Sequence, residues 1–183
     1  RDSPTCELVA PVLDDLAARA GLTVITQDDP GFPADADWVI HDADLALSWH
    51  HDIETVPTLL AVTDGISTDR TVGWSRDQWE GFTGVDELGA DLPDMRPGCG
   101  SLSVDPTLAD ELAVRFSGSS LSARRVELAA LEDEWEAMWD RGWSDGLPVV
   151  PPTEARVLRM LEGTSRTPDE VVTVVPPDMV ETT

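Results

Sequence analysis

The order of patterns along this sequence predicts an α/β fold. Residues 7–20 (ELVAPVLDDLAARA) place apolar side chains at helical spacing, and Gly21 follows as a common helix stop. Residues 22–27 (LTVITQ) are short and β-branched, as a strand is. Residues 58–62 (TLLAV) and 70–74 (RTVGW), with the turn TDGIS between them, have the pattern of a β-hairpin. Helix, strand and hairpin in this order favour an α/β domain.

Two helices complete this first part of the chain. Asp42 begins a short predicted helix whose Leu45 and Trp49 face inward. After the hairpin, residues 75–82 (SRDQWEGF) read as a helix with Ser75 as its N-cap and with Trp79 and Phe82 as its packed side chains. The pattern therefore predicts one α/β domain over residues 1–83.

The second half is organised differently. Residues 84–121 are rich in Pro and Gly without sustained periodicity, which predicts a linker or a lid-like loop. Residues 122–183 predict a helical and mixed segment with a long helix over 122–142, a helix near 153–163 and a strand at 170–175. The apolar stripe of the long helix consists of Leu128, Leu131, Trp135, Met138 and Trp139. Because a strand needs a partner, this segment is predicted to be part of a larger unit.

Composition excludes several classes of function. The chain has 183 residues, with 36 acidic and 12 basic side chains and a formal net charge of -24. A surface this acidic repels phosphate backbones, so no nucleic-acid partner is expected. No apolar run reaches the roughly 18 residues that a membrane span requires, so no membrane association is expected. Two cysteines are too few for a disulfide scaffold and favour a cytoplasmic location.

Three stretches carry a family resemblance. The start CELVAPVLDDLA resembles the active-site helix of thioredoxins, DIETVPTLLAV resembles the loop and strand around the thioredoxin cis-proline, and DGISTDRTVGW followed by SRDQWEGF resembles the closing hairpin and helix. The resemblance covers residues 1–83 and implies a thioredoxin-like domain. The family's first strand is missing before this motif, so we expect either a longer polypeptide or another chain that supplies the strand.

The resemblance also implies a site. Cys6 takes the position of the second cysteine of the family motif, whereas Ser3 occupies the position of the first, attacking cysteine. Val56, Pro57 and Thr58 would form an edge that pairs with an extended substrate or partner. A helix N-terminus lowers the pKa of a thiol, but neighbouring acidic side chains oppose this effect at Cys6.

The remaining candidate residues have weaker patterns. Cys99, in RPGCGS, lies in a Gly-flanked loop and is either a second thiol that reacts with Cys6 or substrate, or a cysteine without a role. His41, His50 and His51 lack the spacing of a zinc site, so no metal is predicted. No nucleotide or phosphate-binding motif is present either, and no cofactor is expected.

Two functions follow as hypotheses. The first is a thiol-dependent oxidoreductase of thioredoxin type, or a subunit of a processed enzyme, that uses Cys6, Ser3 and Cys99 beside the Pro57 edge. The second is a non-catalytic binding module that docks a partner subunit carrying the chemistry. A protein partner or a second processed chain is expected in either case, since residues 142–182 resemble a segment with the pattern GWxDGLPVVPPT in uncharacterised bacterial proteins.

Overall fold

The protein contains both helices and strands, as the sequence predicts. The computed structural model describes residues 3–119, 121, 124–167 and 169–183. The chain divides into two compact units, of which the first ends at Leu112 and the second begins at Ala113. None of the helices in these described ranges is both long enough and apolar enough to cross a bilayer.

The first unit alternates helices with short strands. In chain order its elements are α1 (Pro4–Ala20), β1 (Val24–Thr26), β2 (Val39–His41), α2 (Ala46–His50), β3 (Thr55–Val56), β4 (Thr58–Thr63), β5 (Ile66–Val72), β6 (Trp74–Ser75), α3 (Arg76–Thr83), β7 (Met95–Arg96) and β8 (Cys99–Gly100). A 3-10 turn (Leu102–Val104) and α4 (Ala109–Phe116) follow, and α4 continues past the boundary of the unit.

Helix α1 confirms the predicted helix and begins three residues earlier than predicted. Ser3 is its N-cap and Pro4 begins the first turn, where the missing N–H of proline costs nothing. Gly21 ends the helix with a φ of 68°, a left-handed conformation that glycine adopts without strain. These end signals fix where the first turn lies, and Cys6 lies in that turn.

The core of the first unit lies between α1, the hairpin and α3. The fully or nearly buried apolar side chains of this cluster are Val9, Val12, Leu13, Leu16, Leu59, Trp74, Trp79, Val85 and Leu88. The rings of Trp74 and Trp79 meet edge to face, with centroids 5.0 Å apart. The predicted packing of Trp79 is confirmed, and Phe82 packs against the same cluster while half-buried.

Every sheet in the described part of the chain is a pair of strands. β1 and β2 are parallel, with Val24 opposite Val39, and β4 and β5 form the predicted antiparallel hairpin with a register shift at Ala61/Val62. β6 pairs with β7, and β3 pairs with β8, both antiparallel. Residues 84–104, read from the sequence as part of a linker or lid, thus contribute two strands to the first unit.

In its described residues, the second unit contains the end of α4, two further helices and a hairpin. The further elements are α5 (Glu134–Asp140), α6 (Glu154–Leu161) and the antiparallel strands β9 (Thr173–Val175) and β10 (Val180–Thr182). The strand predicted at residues 170–175 corresponds to β9, and the partner that it requires is β10, which pairs with it along its whole length.

The long helix predicted over residues 122–142 is also wrong in its first half. Residues 122 and 123 lie outside the described residues, and residues 124–133 are not helical. The carboxylate of Asp133 accepts hydrogen bonds from the N–H groups of Trp135 and Glu136, and this cap begins the helix there. Of the predicted apolar stripe, Met138 is buried, whereas Leu131 is fully exposed and the predicted burial of Trp135 and Trp139 is wrong, since both are exposed.

Candidate functional site

The N-terminus of α1 holds the first thiol. Cys6 is half-buried in the first turn, and its N–H donates a hydrogen bond to the hydroxyl of Ser3 over 3.4 Å. Ser3 is itself buried, with 8% of its surface exposed, because the cap turns its side chain back over the helix end. The position at which the resemblance expects a thiol therefore carries a buried hydroxyl.

The second thiol reaches the same helix end from the other side of the unit. β8 pairs antiparallel with β3, so that Cys99 lies opposite Val56 and Gly100 lies opposite Thr55. The peptide bond between Val56 and Pro57 is cis. We call residues 95–104 the docked segment, since they pair with β6 through β7 and with β3 through β8 and so place Cys99 near the first turn of α1.

Thr5 fastens the docked segment to α1. Its hydroxyl donates a 2.7 Å hydrogen bond to the carbonyl oxygen of Pro97, and the Thr5 residue is 1% exposed. Because Thr5 and Cys6 are neighbours in the same turn, this bond fixes the docked segment directly beside the Cys6 backbone. The hydrogen bond joins residues that are far apart in the sequence, and no local pattern predicts it.

Glycines allow the docked segment to approach this closely. A Cβ atom added at Gly98 would lie 2.4 Å from Thr55 Cγ2 and 2.8 Å from the Val56 carbonyl oxygen, which is closer than such atoms pack. Gly73, with a φ of 74°, lies close to the same glycine, and a Cβ there would lie 2.9 Å from the Gly98 nitrogen. The docked segment can therefore lie this close to β3 and to Gly73 only because Gly98 and Gly73 have no Cβ atom.

Polar contacts hold the end of the docked segment. The Gln27 amide donates to Ser101 Oγ over 2.7 Å and accepts from the Leu102 N–H over 3.0 Å. The Ser101 N–H donates to the Glu54 carbonyl oxygen, and the Ser103 hydroxyl donates to the Ile53 carbonyl oxygen. Ser101 and Ser103 are both buried, so these bonds replace water that the two side chains lose.

The two thiols differ in acidity. Hydrogen bonding by the Ser3 hydroxyl lowers the pKa of Cys99, an effect that burial opposes and that the Thr5 N–H and the charge of Arg96 reinforce. Burial raises the pKa of Cys6, the Ser3 hydroxyl opposes this, and the nearby Cys99 and Glu7 raise it further. Because the thiolate is the nucleophile, the lowered pKa favours reaction at Cys99 and the raised pKa disfavours reaction at Cys6.

Ser3 affects the acidity of both thiols. Its hydroxyl is the largest effect that lowers the pKa of Cys99, and it also lowers the pKa of Cys6, where burial outweighs it.

The predicted site residues fall into two groups. Ser3, Cys6 and Cys99 meet at the α1 N-terminus, with Val56 opposite Cys99. Thr58 instead begins β4, where its hydroxyl donates a 2.7 Å hydrogen bond to the Thr55 carbonyl oxygen. Sequence reasoning missed Thr5, Gln27 and Gly98. The stretch PGCG hinted at the last of these, and the sequence gives no signal for the other two.

No metal centre accompanies these thiols in the described residues, where no group of three or more His, Cys, Asp or Glu side chains could hold an ion. His41 and His50 are exposed, and the carbonyl of His51 accepts a hydrogen bond from Arg70. The histidines therefore do not form part of the thiol site.

Comparison with known proteins adds no family to this geometry. No family model matches the chain. No curated protein and no solved structure matches it at a significant level either. The function is therefore argued from the site alone.

Proposed function

We propose that the first unit is a thiol-dependent oxidoreductase of thioredoxin type, in which Cys99 and Cys6 exchange electrons with a disulfide substrate. One observation carries the proposal: both cysteines of the sequence meet at one helix N-terminus, where Ser3 hydrogen-bonds to the Cys6 backbone and lowers the pKa of Cys99.

The pKa shifts of the two thiols favour one order of steps. The Cys99 thiolate attacks one sulfur of the substrate disulfide, so a bond from Cys99 to that sulfur forms, the substrate S–S bond breaks, and the departing thiolate takes a proton from water. Cys6 then loses its proton to solvent and attacks Cys99 Sγ. The mixed disulfide breaks, the second substrate thiol leaves, and Cys6 and Cys99 are joined.

In total, the protein dithiol transfers two electrons to one substrate disulfide. The substrate becomes two thiols, and the protein becomes the Cys6–Cys99 disulfide, which an external dithiol reduces in the next turnover. The charge of Cys99 is one of the effects that raise the pKa of Cys6, and this effect ends once Cys99 is in the mixed disulfide, which favours the attack by Cys6 in the second step.

A turnover assay tests this function. Bis(2-hydroxyethyl) disulfide serves as substrate and dithiothreitol as electron donor, and the C6S/C99S double variant gives the background. We expect C99S to fall to background and C6S to accumulate one mixed disulfide with turnover lowered at least about tenfold. Single variants that both keep the wild-type rate would overturn the proposal.

Binding without chemistry is the second candidate function. The observation that favours it is the partial burial of Cys6, which raises its pKa and slows its reaction. In this alternative the first unit docks a protein partner, and Cys99 remains a thiol throughout. The same assay separates the two functions, because a binding module would give no turnover above the double variant.

A further inference from the structure

The second unit carries two exposed tryptophans on one helix. Trp135 and Trp139 lie one turn apart on α5, and 48% and 58% of their surfaces are exposed. Both residues line a groove of about 580 Å³ formed by α5 and the loop that follows it, which we call the tryptophan groove. Because burial of an indole is strongly favourable, neighbouring exposed indoles in a groove are typical of a binding surface.

The loop after α5 supplies the rest of the lining, which includes Leu147 and Pro148. The Ser144 hydroxyl holds this loop, since it donates a 2.7 Å hydrogen bond to the Leu147 carbonyl oxygen and accepts one from the Gly146 N–H. The loop lies against the Trp139 side chain, because a Cβ atom added at Gly146 would lie 3.4 Å from Trp139 Cζ3. The tryptophan groove is therefore formed before any ligand binds.

Two carboxylates of the tryptophan groove lack a cationic partner. Glu136 and Asp140 line the groove, four residues apart and each next to one of the tryptophans. Within the described ranges of the chain neither forms an ion pair, whereas Glu132 nearby pairs with Arg141. Like charges four residues apart on a helix repel each other, and a cation bound beside both removes this repulsion. The groove therefore presents negative charge next to aromatic rings.

The same unit shows one cation on a tryptophan. The guanidinium carbon of Arg141 lies over the Trp143 ring, 6.0 Å from its centroid, at the outer limit of a cation–π contact. A planar guanidinium can stack on an indole while it donates to a carboxylate, whereas the ammonium of lysine is a compact and strongly hydrated charge. Tryptophans beside carboxylates therefore suit arginine better than lysine.

The shape of the tryptophan groove indicates a protein ligand. Small molecules are usually bound with most of their surface buried. Among the residues that line this groove, however, Met138 is buried and the others are exposed or half-exposed. A protein partner brings further surface that covers the rings. A second copy of this chain is a poor occupant, because each copy has a net charge of -24.

We infer that the tryptophan groove binds an arginine-bearing segment of a protein partner, whose guanidinium groups lie against Trp135 and Trp139 and pair with Glu136 and Asp140. This docking function belongs to the second unit. It does not depend on the thiol exchange proposed for the first unit, and its test needs no turnover.

Three labelled peptides test the inference by fluorescence polarisation with the full chain. Each is a ten-residue Gly/Ser peptide that carries either three arginines, three lysines or three citrullines, since citrulline has the shape of arginine without its charge. About 150 mM NaCl screens diffuse attraction to the acidic surface. We expect the arginine peptide to bind at least about threefold more tightly than the lysine peptide and the citrulline peptide not to bind. Equal binding of all three peptides, or of none, would overturn the inference.

The groove carboxylates are compared with matched carboxylates elsewhere in the unit. E136Q/D140N keeps the size of both side chains and removes only their charges, and we expect it to weaken binding of the arginine peptide at least about fivefold. E162Q/D178N removes the same number of charges from exposed positions that do not line the groove, so its affinity should stay within about twofold of the wild type. Equal weakening by the two double variants would contradict the inference, since binding would then follow net charge alone.

The rings are tested in the same way. We expect Trp139→Ala to weaken binding of the arginine peptide about tenfold. Trp143→Ala is the control, because Trp143 is also exposed but does not line the groove. Trp135→Ala is a second groove variant that leaves the contact between Trp139 and the Gly146 loop in place. Unchanged affinity in both groove variants would exclude the proposed stacking.

The same proteins reveal two other occupants. Methylguanidinium that binds as tightly as the arginine peptide would assign the groove to a small cation. A wild-type dimer in light scattering that becomes a monomer with Trp139→Ala would assign it to a second copy of the chain. Either result would overturn the protein partner proposed here.

Discussion

At the scale of single residues, the site depends on a hydroxyl where a thiol is expected. The Ser3 hydroxyl caps α1, accepts a hydrogen bond from the Cys6 N–H and lowers the pKa of Cys99. A cysteine at this position would be a weaker hydrogen-bond donor than serine. In the proposed exchange, Cys99, which comes from a distant part of the sequence, takes the role of attacking thiol that the resemblance gives to the position of Ser3.

The pKa shifts predict an order of alkylation. A lowered pKa means that Cys99 is a thiolate at lower pH than an ordinary cysteine, and a raised pKa means that Cys6 becomes one only at higher pH. With iodoacetamide, the rate profile of Cys99 against pH should therefore rise first and that of Cys6 later. Peptide mapping of the alkylated protein measures both profiles, and a reversed order would contradict the assignment of Cys99 as the attacking thiol.

Ser3→Ala tests the hydroxyl directly. Loss of its hydrogen bond raises the pKa of Cys99, so we expect alkylation of Cys99 near pH 7 to slow about threefold and its profile to move to higher pH. Ser75→Ala is the matched control, since Ser75 is also a helix N-cap but makes no side-chain capping bond. Equal alkylation rates in the two variants would show that Ser3 does not set the acidity of Cys99.

At the scale of elements, Arg76 organises the chain after α3. Its guanidinium donates to the carbonyl oxygens of Leu88, Gly89 and Leu92 and pairs with Asp94. This fork of donors holds the loop that leads into β7 and the docked segment. Lysine has the same charge but cannot reproduce the planar fork.

Arg76→Lys should therefore lower the free energy of unfolding by about 2 kcal/mol, because several charged hydrogen bonds to backbone carbonyls are lost. Urea denaturation followed by tryptophan fluorescence measures the change. Arg19→Lys is the control: Arg19 forms an exposed pair with Asp15, and such pairs contribute about 0.5 kcal/mol. Equal effects of the two variants would contradict the organising role of Arg76.

Helix α5 offers a second test at this scale. Leu131 precedes the helix and is fully exposed, whereas Met138 is 8% exposed within it. We expect Leu131→Ala to change the free energy of unfolding by less than about 0.5 kcal/mol. Met138→Ala should lower it by about 2 kcal/mol in the same urea titration. A large effect of Leu131→Ala would favour the longer helix that the sequence pattern predicts.

The helices and strands differ in how well sequence patterns predict them. Helix α1, the β4–β5 hairpin and α3 are each long enough to display a period and have clear end signals, and all three were predictable. β3, β7 and β8 have two residues each, so no alternation can reveal them. The long helix before α5 was predicted from periodicity alone, and the Asp133 cap overrides it.

The candidate site was predictable only residue by residue. Ser3 and Cys6 could be read from one helix start, and Val56 and Pro57 from one loop. Their meeting with Cys99 depends on the pairing of β3 with β8 and on the bond from Thr5 to Pro97, contacts that bring together residues remote in sequence. Such contacts produce no periodic pattern in the sequence. The sequence therefore left open whether Cys99 is a second thiol of the site or a cysteine without a role.

At the scale of the whole molecule, the main feature is the excess of negative charge. Thirty-six acidic against 12 basic side chains give a net charge of -24 over 183 residues. Repulsion among unpaired carboxylates opposes the compact state, and dissolved salt screens it. We therefore expect the melting temperature to rise by a few degrees when NaCl increases from about 20 mM to about 500 mM. Calorimetry measures this shift, and an unchanged or lower melting temperature would contradict it.

The central claim is that Cys6 and Cys99 act as one dithiol, and a disulfide map of the oxidised protein tests it most directly. The wild-type protein is treated with bis(2-hydroxyethyl) disulfide, free thiols are blocked, and the chain is digested and mapped by mass spectrometry without reduction. The account predicts a cross-linked peptide pair joining Cys6 to Cys99 within one chain. A stable adduct on Cys99 with Cys6 still free would contradict it.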